Sequence, residues 1–221
     1  MHYHCEIIMP PVDDVEKAVN EIMLPFNENA DEEDRSSYTF FDWYVIGGRW
    51  SGEKIKAKLD SNKLDEFHQK LVEMKVTVSS VTAGKQELQP ASQIPVVDAL
   101  WRDMFPESGI DVCPLFKHYS DQYKTSELPG DACRLEEMPD SMSAERVIIA
   151  KERHDGKGLR AEFMISTNHW NGVNYVKSTW DGNVKSAIQM QLEKLEHYKD
   201  EYREKVTPKA DWIVVTVDYH N

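Results

Sequence analysis

No stretch of this 221-residue chain approaches the roughly 18 to 20 consecutive apolar residues that cross a bilayer. The opening, Met1 to Pro10, has neither the basic flank nor the apolar run of a secretory signal. These two absences make the cytoplasm the expected compartment and remove the membrane as an expected partner. Cysteine is scarce too. Cys5, Cys113 and Cys133 are an odd number at wide spacing with no CxxC pair, which excludes a disulfide framework and a zinc ribbon and leaves three reduced thiols. HExxH, GxSxG, a Walker loop and GxGxxG are all missing, so no reaction class is named and no cofactor is expected.

Positive charge is in short supply. The chain carries 26 Lys and Arg against 39 Asp and Glu, a formal charge of -13. Residues 1 to 60 hold 13 acids and 6 bases, residues 61 to 143 hold 14 and 8, and residues 144 to 221 hold 12 of each. Acid therefore dominates the first two thirds, where a phosphate backbone would be repelled, and direct nucleic-acid binding is not expected. Such a surface suits a basic protein partner instead. Hydrophobic residues at 40% and aromatics at 10% are ordinary for a folded protein and too many for a disordered one.

What is present reads as an α+β chain. HYHCEIIM (His2–Met9) is a short strand stopped by Pro10 and Pro11; Asp13 or Asp14 then caps a helix whose Val15, Ala18, Val19, Ile22 and Met23 keep helical spacing up to Pro25. Asn27 to Ser37 is an acidic solvated loop. A short strand is expected over Lys54 to Leu59, a helix through Leu64, Phe67, Leu71 and Met74, and a β-rich stretch from Val76 to Val81. Six prolines break the reading between Ala83 and Ser143, leaving only Val96 to Phe105 helical, so 83–143 reads as a large irregular insertion. Arg146 to Glu152 and Leu159 to Ser166 flank a turn and form a hairpin, with a further short strand near Tyr175. Val184 to Lys205 reads as one long helix and Trp212 to Tyr219 as a closing strand. The order β-α, then β-β-α-β, is that of a ferredoxin-like sandwich in one domain, 1–221, with its core drawn from 1–82 and 144–221. First and last strands would then lie antiparallel, bringing His2 and His4 to Asp218 and His220.

Three groups of residues can carry chemistry. Gly47-Gly48-Arg49-Trp50, with Trp43 and Tyr44 before it, joins free backbone geometry to a guanidinium and stacking faces, a combination that holds an anion or a flat ring. It is equally a tight turn in which aromatics fill the core and Arg49 pairs with Asp42. Asp218 and His220 alternate onto one strand face, where the carboxylate can orient the imidazole as a general base, or both can bind a metal with His4 as third ligand. Histidines at a strand end are also ordinary surface residues. The turns Asn168-His-Trp-Asn-Gly172 and Trp180-Asp-Gly182 can rim a pocket with His169 as acid or base, or simply punctuate loops.

The segment DWYVIGGRWSG (Asp42 to Gly52) resembles the D-W-Y-x-(I/L)-G-G-R-W-x-G signature of a set of phage and prophage proteins of unassigned function. The ending WIVVTVDYHN is similar to that set's closing V-D-C-H strand, with Tyr219 where the set has cysteine, and HCEIIMP is similar to its first strand. The match covers some 30 residues at three separated points. It implies one site from Arg49, Trp50, Asp218 and His220, host cytoplasm as the place of action, and a role against host defence through capture of a nucleotide signal or an effector protein. The residues themselves lead to a small anionic, nucleotide-like ligand held by Trp43, Gly47, Gly48, Arg49, Trp50, Asp218 and His220. The alternatives are an acidic inhibitor of a basic host nuclease or sensor and a hydrolase using Asp218 and His220.

Overall fold

Alternation along the first and last strands decides the architecture. In a computed structural model that describes residues 1–76, 93–111, 113, 131–170, 175–177 and 180–221 (without the side chains of 94, 168–170 and 175–177), β1 (His2–Met9) runs antiparallel to β8 (Ile213–His220) over its whole length. The pairing was expected from sequence, as was the approach of His2 and His4 to Asp218 and His220; the register sets His2 opposite His220 and His4 opposite Asp218. Cys5, Ile7, Met9, Val215 and Val217 point to one face of the sheet; Ile8 and Val214 point to the other.

The sheet continues on both sides. β2 (Trp43–Ile46) and the short β3 (Ala132–Arg134) pair with β8, and beyond β1 come β4 (Arg146–Glu152) and β5 (Leu159–Ser166), in the order β2-β8-β1-β4-β5 with β3 beside β8. The chain is thus a mixed α+β fold on a six-stranded sheet. Its topology departs from the ferredoxin-like order in one respect that matters. There the strands joined by a crossover are split by a third strand, whereas here β4, the first arm of the hairpin, lies directly beside β1 and parallel to it. The cause is burial on both faces: β4 reads VIIA with apolar residues at odd and even positions, Val147 and Ile149 entering one core and Ile148 and Ala150 the other, which suits an inner strand.

Each face has its helix. α1 (Val15–Met23), capped by Asp14, whose Oδ1 accepts the Lys17 amide at 2.9 Å, packs Ala18, Val19, Ile22 and Met23 on the Cys5/Ile7 face. α5 (Val184–Leu195) lays Val184 and Ala187 on the Ile8/Val214 face. α2 (Glu53–Lys56) replaces the strand expected over Lys54 to Leu59, because Gly52 enters it at φ 77° and the inward turn buries Lys54. The expected long helix over Val184 to Lys205 is broken between Leu195 and α6 (Asp200–Val206), and the break lets both Leu195 and Val206 reach the interior.

α3 (Ser61–Glu73) and α4 (Ile94–Met104) build a separate apolar cluster around Phe67, Leu71, Trp101 and Phe105. The stretch read as an irregular insertion therefore contributes a helix and, in β3, a strand of the main sheet. Of the β-rich stretch Val76 to Val81 only Val76 lies within the described residues. β6 (Asn168–Trp170) and β7 (Tyr175–Lys177) pair as a separate ribbon, so the strand expected near Tyr175 is there and its partner was read as loop. No helix among the described residues is long and apolar enough to cross a membrane.

Candidate functional site

The end of the sheet where β1, β8 and β2 meet collects the residues singled out in the sequence. β8 sits between the other two, so His220 faces His2 on one side and Trp43 on the other, and Asp218 faces His4 and Val45. Residues two apart on a strand are about 6.6 Å apart, whereas cross-strand neighbours approach to about 5 Å. The expected Asp218–His220 pair is accordingly replaced by two crossed pairs. His2 Nδ1 meets Asp218 Oδ1 at 2.8 Å, and His220 Nδ1 donates to Asp42 Oδ1 at 2.9 Å. The bond from His220 is the main cause holding the Asp42 carboxyl below its ordinary value.

The glycine pair shapes the wall of this site. Gly47 (φ 74°) donates its amide to the Thr216 carbonyl at 2.8 Å, and Gly48 (φ 56°) brings the chain so close to β8 that a Cβ there would overlap the Asp218 side chain. The next amide, that of Arg49, donates to Asp218 Oδ2 at 3.0 Å. Asp218 is wholly buried and both its oxygens are occupied, so it orients His2 and the GGRW turn and offers nothing to a ligand.

Arg49 does not pair with Asp42. It enters no ion pair among the described residues, and its buried Nε has no hydrogen-bond partner. Trp43 is 39% exposed and stacks on His220, with centroids 5.5 Å apart and planes 8° from parallel; the His2 ring meets it in a T-shaped arrangement with centroids 5.2 Å apart. Trp50 faces elsewhere and stacks on His4 at 5.1 Å. Among the described residues no three His, Cys, Asp or Glu side chains are grouped so as to hold a metal ion, and the proposed ligand trio, His4, Asp218 and His220, turns to Glu6, His2 and Asp42 respectively. The side chain of His169 lies outside the described residues, and Trp180 is buried with its Nε1 donating to the Asn183 carbonyl at 2.9 Å.

Beneath the turn lies a buried ionic group that sequence reasoning missed. Lys54 Nζ donates to Glu6 Oε2 at 2.7 Å and to Thr216 Oγ1, while Thr216 Oγ1 at 2.8 Å and His4 Nε2 at 2.9 Å meet Glu6 Oε1. Glu6, Lys54 and Thr216 are at most 1% exposed. The available signal was Glu6 itself, an acid on the same strand face as His2 and His4 inside an otherwise apolar run. Burial pushes the Glu6 carboxyl up, but Lys54 and the His4 bond outweigh it and bring the group down to about 2. A depressed carboxyl stabilises the fold fully above its unfolded value of 4.5, and this contribution fades as pH falls toward about 2. Replacing the pair in Glu6→Gln/Lys54→Met should therefore flatten the loss of stability between pH 4.5 and 2, read by urea unfolding at a series of pH values; an acid limb as steep as that of the wild type would show that Glu6 is not its source.

Comparison of the chain with protein-family models, with curated proteins and with solved structures finds no match, so the chemistry of this site rests on its own geometry.

Proposed function

We propose that the chain binds a small anionic, nucleotide-like ligand at the sheet end, with Arg49 meeting the anion, Trp43 the flat ring and His220 with His2 the polar wall. One observation carries the reading: Arg49 is a cation without a carboxylate partner among the described residues of a chain of net charge -13, and Trp43, at the same end of the sheet, is 39% exposed. A guanidinium so placed gains a charge-assisted, bidentate bond when phosphate or carboxylate arrives, and the indole adds stacking area. Gly47, Gly48 and Asp218 act here as framework, and Trp50, stacked on His4, belongs to a different wall. If the chain is of phage type, as the resemblance of its GGRW segment implies, the proposal extends to capture of a nucleotide signal so as to counter a host defence.

A thermal-shift screen of mononucleotides and cyclic dinucleotides tests this. A ligand at 100 times its dissociation constant adds about 2.7 kcal/mol, a rise of roughly 5 to 10 °C for a chain of this size. The rise should vanish in Arg49→Gln. A screen in which nothing shifts the wild type removes the proposal.

A second reading has its own observation. His220 is partly exposed, with its Nδ1 held by Asp42 and its Nε2 3.3 Å from the Met1 amino group, and it becomes the base of an oriented dyad when a substrate takes the place of that contact. A hydrolase of this kind would lose activity in both His220→Ala and Asp42→Asn, and the orienting acid is Asp42 where Asp218 was expected.

A further inference from the structure

A concave site opens on the Trp50 side of the GGRW turn, and its chemistry is opposite to that of the sheet-end site. Its volume is about 570 Å³, within the range of small-ligand pockets. Trp50 and His4, stacked at 5.1 Å, form part of its lining, and Glu53, Glu145 and Asp181 supply three carboxylates. Neither lysine nor arginine is among the described residues that line it. Each acid has one oxygen engaged: Glu53 with Lys56 at 3.2 Å, Glu145 with the His4 amide at 2.7 Å, and Asp181 with the Asn183 amide at 3.0 Å. The other oxygen of each has no partner among the described residues.

His4 adds the independent mark of a ligand site. It is 97% buried, lines the cavity, and is bonded through Nε2 to Glu6, while its Nδ1 has no partner among the described residues. Glu6 is ionised and can only accept, so Nε2 is the donor of this bond and Nδ1 is the buried ring nitrogen left over at the cavity. An indole face and three half-free carboxylates call for a donor carrying positive charge.

The shape narrows the class further. The carboxylates are not grouped closely enough to hold a metal ion, and no cation among the described lining residues would receive the α-carboxylate of an amino acid or a phosphate. We infer that this cavity binds an aliphatic di- or polyamine, with one ammonium against the Trp50 face and another reaching the Glu145 and Asp181 side.

Calorimetric titration of the full chain with spermidine tests the inference, with 1,4-butanediol as uncharged probe, arginine as amino-acid probe and magnesium as inorganic probe. Saturable one-to-one binding of spermidine, with none of the diol, is expected. Because a chain of charge -13 attracts any polycation, two variants of equal charge are compared. Glu53→Gln/Glu145→Gln/Asp181→Asn should weaken binding at least about tenfold, whereas Glu28→Gln/Asp31→Asn/Glu33→Gln, which removes three charges from the remote acidic loop, should leave it unchanged. Trp50→Leu should weaken it about tenfold as well, with the melting temperature confirming that the variant folds. Equal weakening by both triple variants would reduce the effect to general attraction and overturn the inference. So would tighter binding of magnesium or arginine than of spermidine.

Discussion

A chain truncated after Lys209 should be insoluble or molten. β8 is an inner strand, hydrogen-bonded to β1 along its full length on one side and to β2 and β3 on the other, so its loss unpairs backbone groups on three neighbours. Trp212, Val214, Val215, Val217 and Tyr219 are all at most 4% exposed, and each such side chain is worth about 1.5 to 3 kcal/mol of burial. Together they rival the roughly 5 to 15 kcal/mol of net stability that a typical domain possesses. Deleting only His220 and Asn221 should leave the fold intact while removing the bond to Asp42 and the stacking partner of Trp43. Circular dichroism melts of the two shortened chains separate these outcomes: a cooperative melt of the shorter one at the full-length temperature would mean that β8 is not part of the core.

The second large effect is expected at Lys54→Ala. The substitution leaves the Glu6 carboxylate buried with Thr216 and His4 and without its ammonium partner, which costs about 3 to 5 kcal/mol. It also opens space under the GGRW turn, since Lys54 is among the largest fully buried side chains. Glu6→Gln/Lys54→Met removes both charges at similar volume and should recover most of that loss, because the pair's attraction is offset by the cost of desolvating it. Urea midpoints of the wild type and both variants give the comparison. If the single variant loses less than about 1 kcal/mol, within the range of surface substitutions and exposed pairs, Lys54 is not buried against Glu6.

Local pattern made much of this fold legible. His2 to Met9 and Trp212 to Tyr219 read as strands by composition, and their antiparallel pairing, with the meeting of the two chain ends, was expected from the β-α, β-β-α-β order of elements. Helix α1 showed itself through Val15, Ala18, Val19 and Ile22, and the β4–β5 hairpin through its turn. Non-local facts were not legible. That β4 is parallel to β1 depends on which hairpin arm is buried on both faces, and the apolar run of Arg146 to Glu152 hinted at this without deciding it. The helix break after Leu195 has neither glycine nor proline to mark it, because it answers to where Val206 must be buried. At the site, GGRW, Asp218 and His220 were found by residue type, but their partners were misassigned. Which acid serves which histidine is fixed by cross-strand register, and Asp42, one residue before β2, enters only once β2 is laid beside β8. Lys54 was hidden because a lysine in a short segment of lysines reads as solvated surface, and only the positive φ at Gly52 turns it inward.

The central claim is that Arg49, Trp43 and the two oriented histidines form one ligand site. It is tested most directly by nuclear magnetic resonance titration of the full chain with the nucleotide that most raises its melting temperature, following the Trp43 indole and the His2 and His220 ring signals. The account predicts that these three move together along one saturable isotherm, that Trp50 and His4 do not, and that Arg49→Gln abolishes the movement while leaving the unliganded spectrum otherwise unchanged. Saturable binding that moves none of the three, or that survives in Arg49→Gln at wild-type affinity, would contradict it.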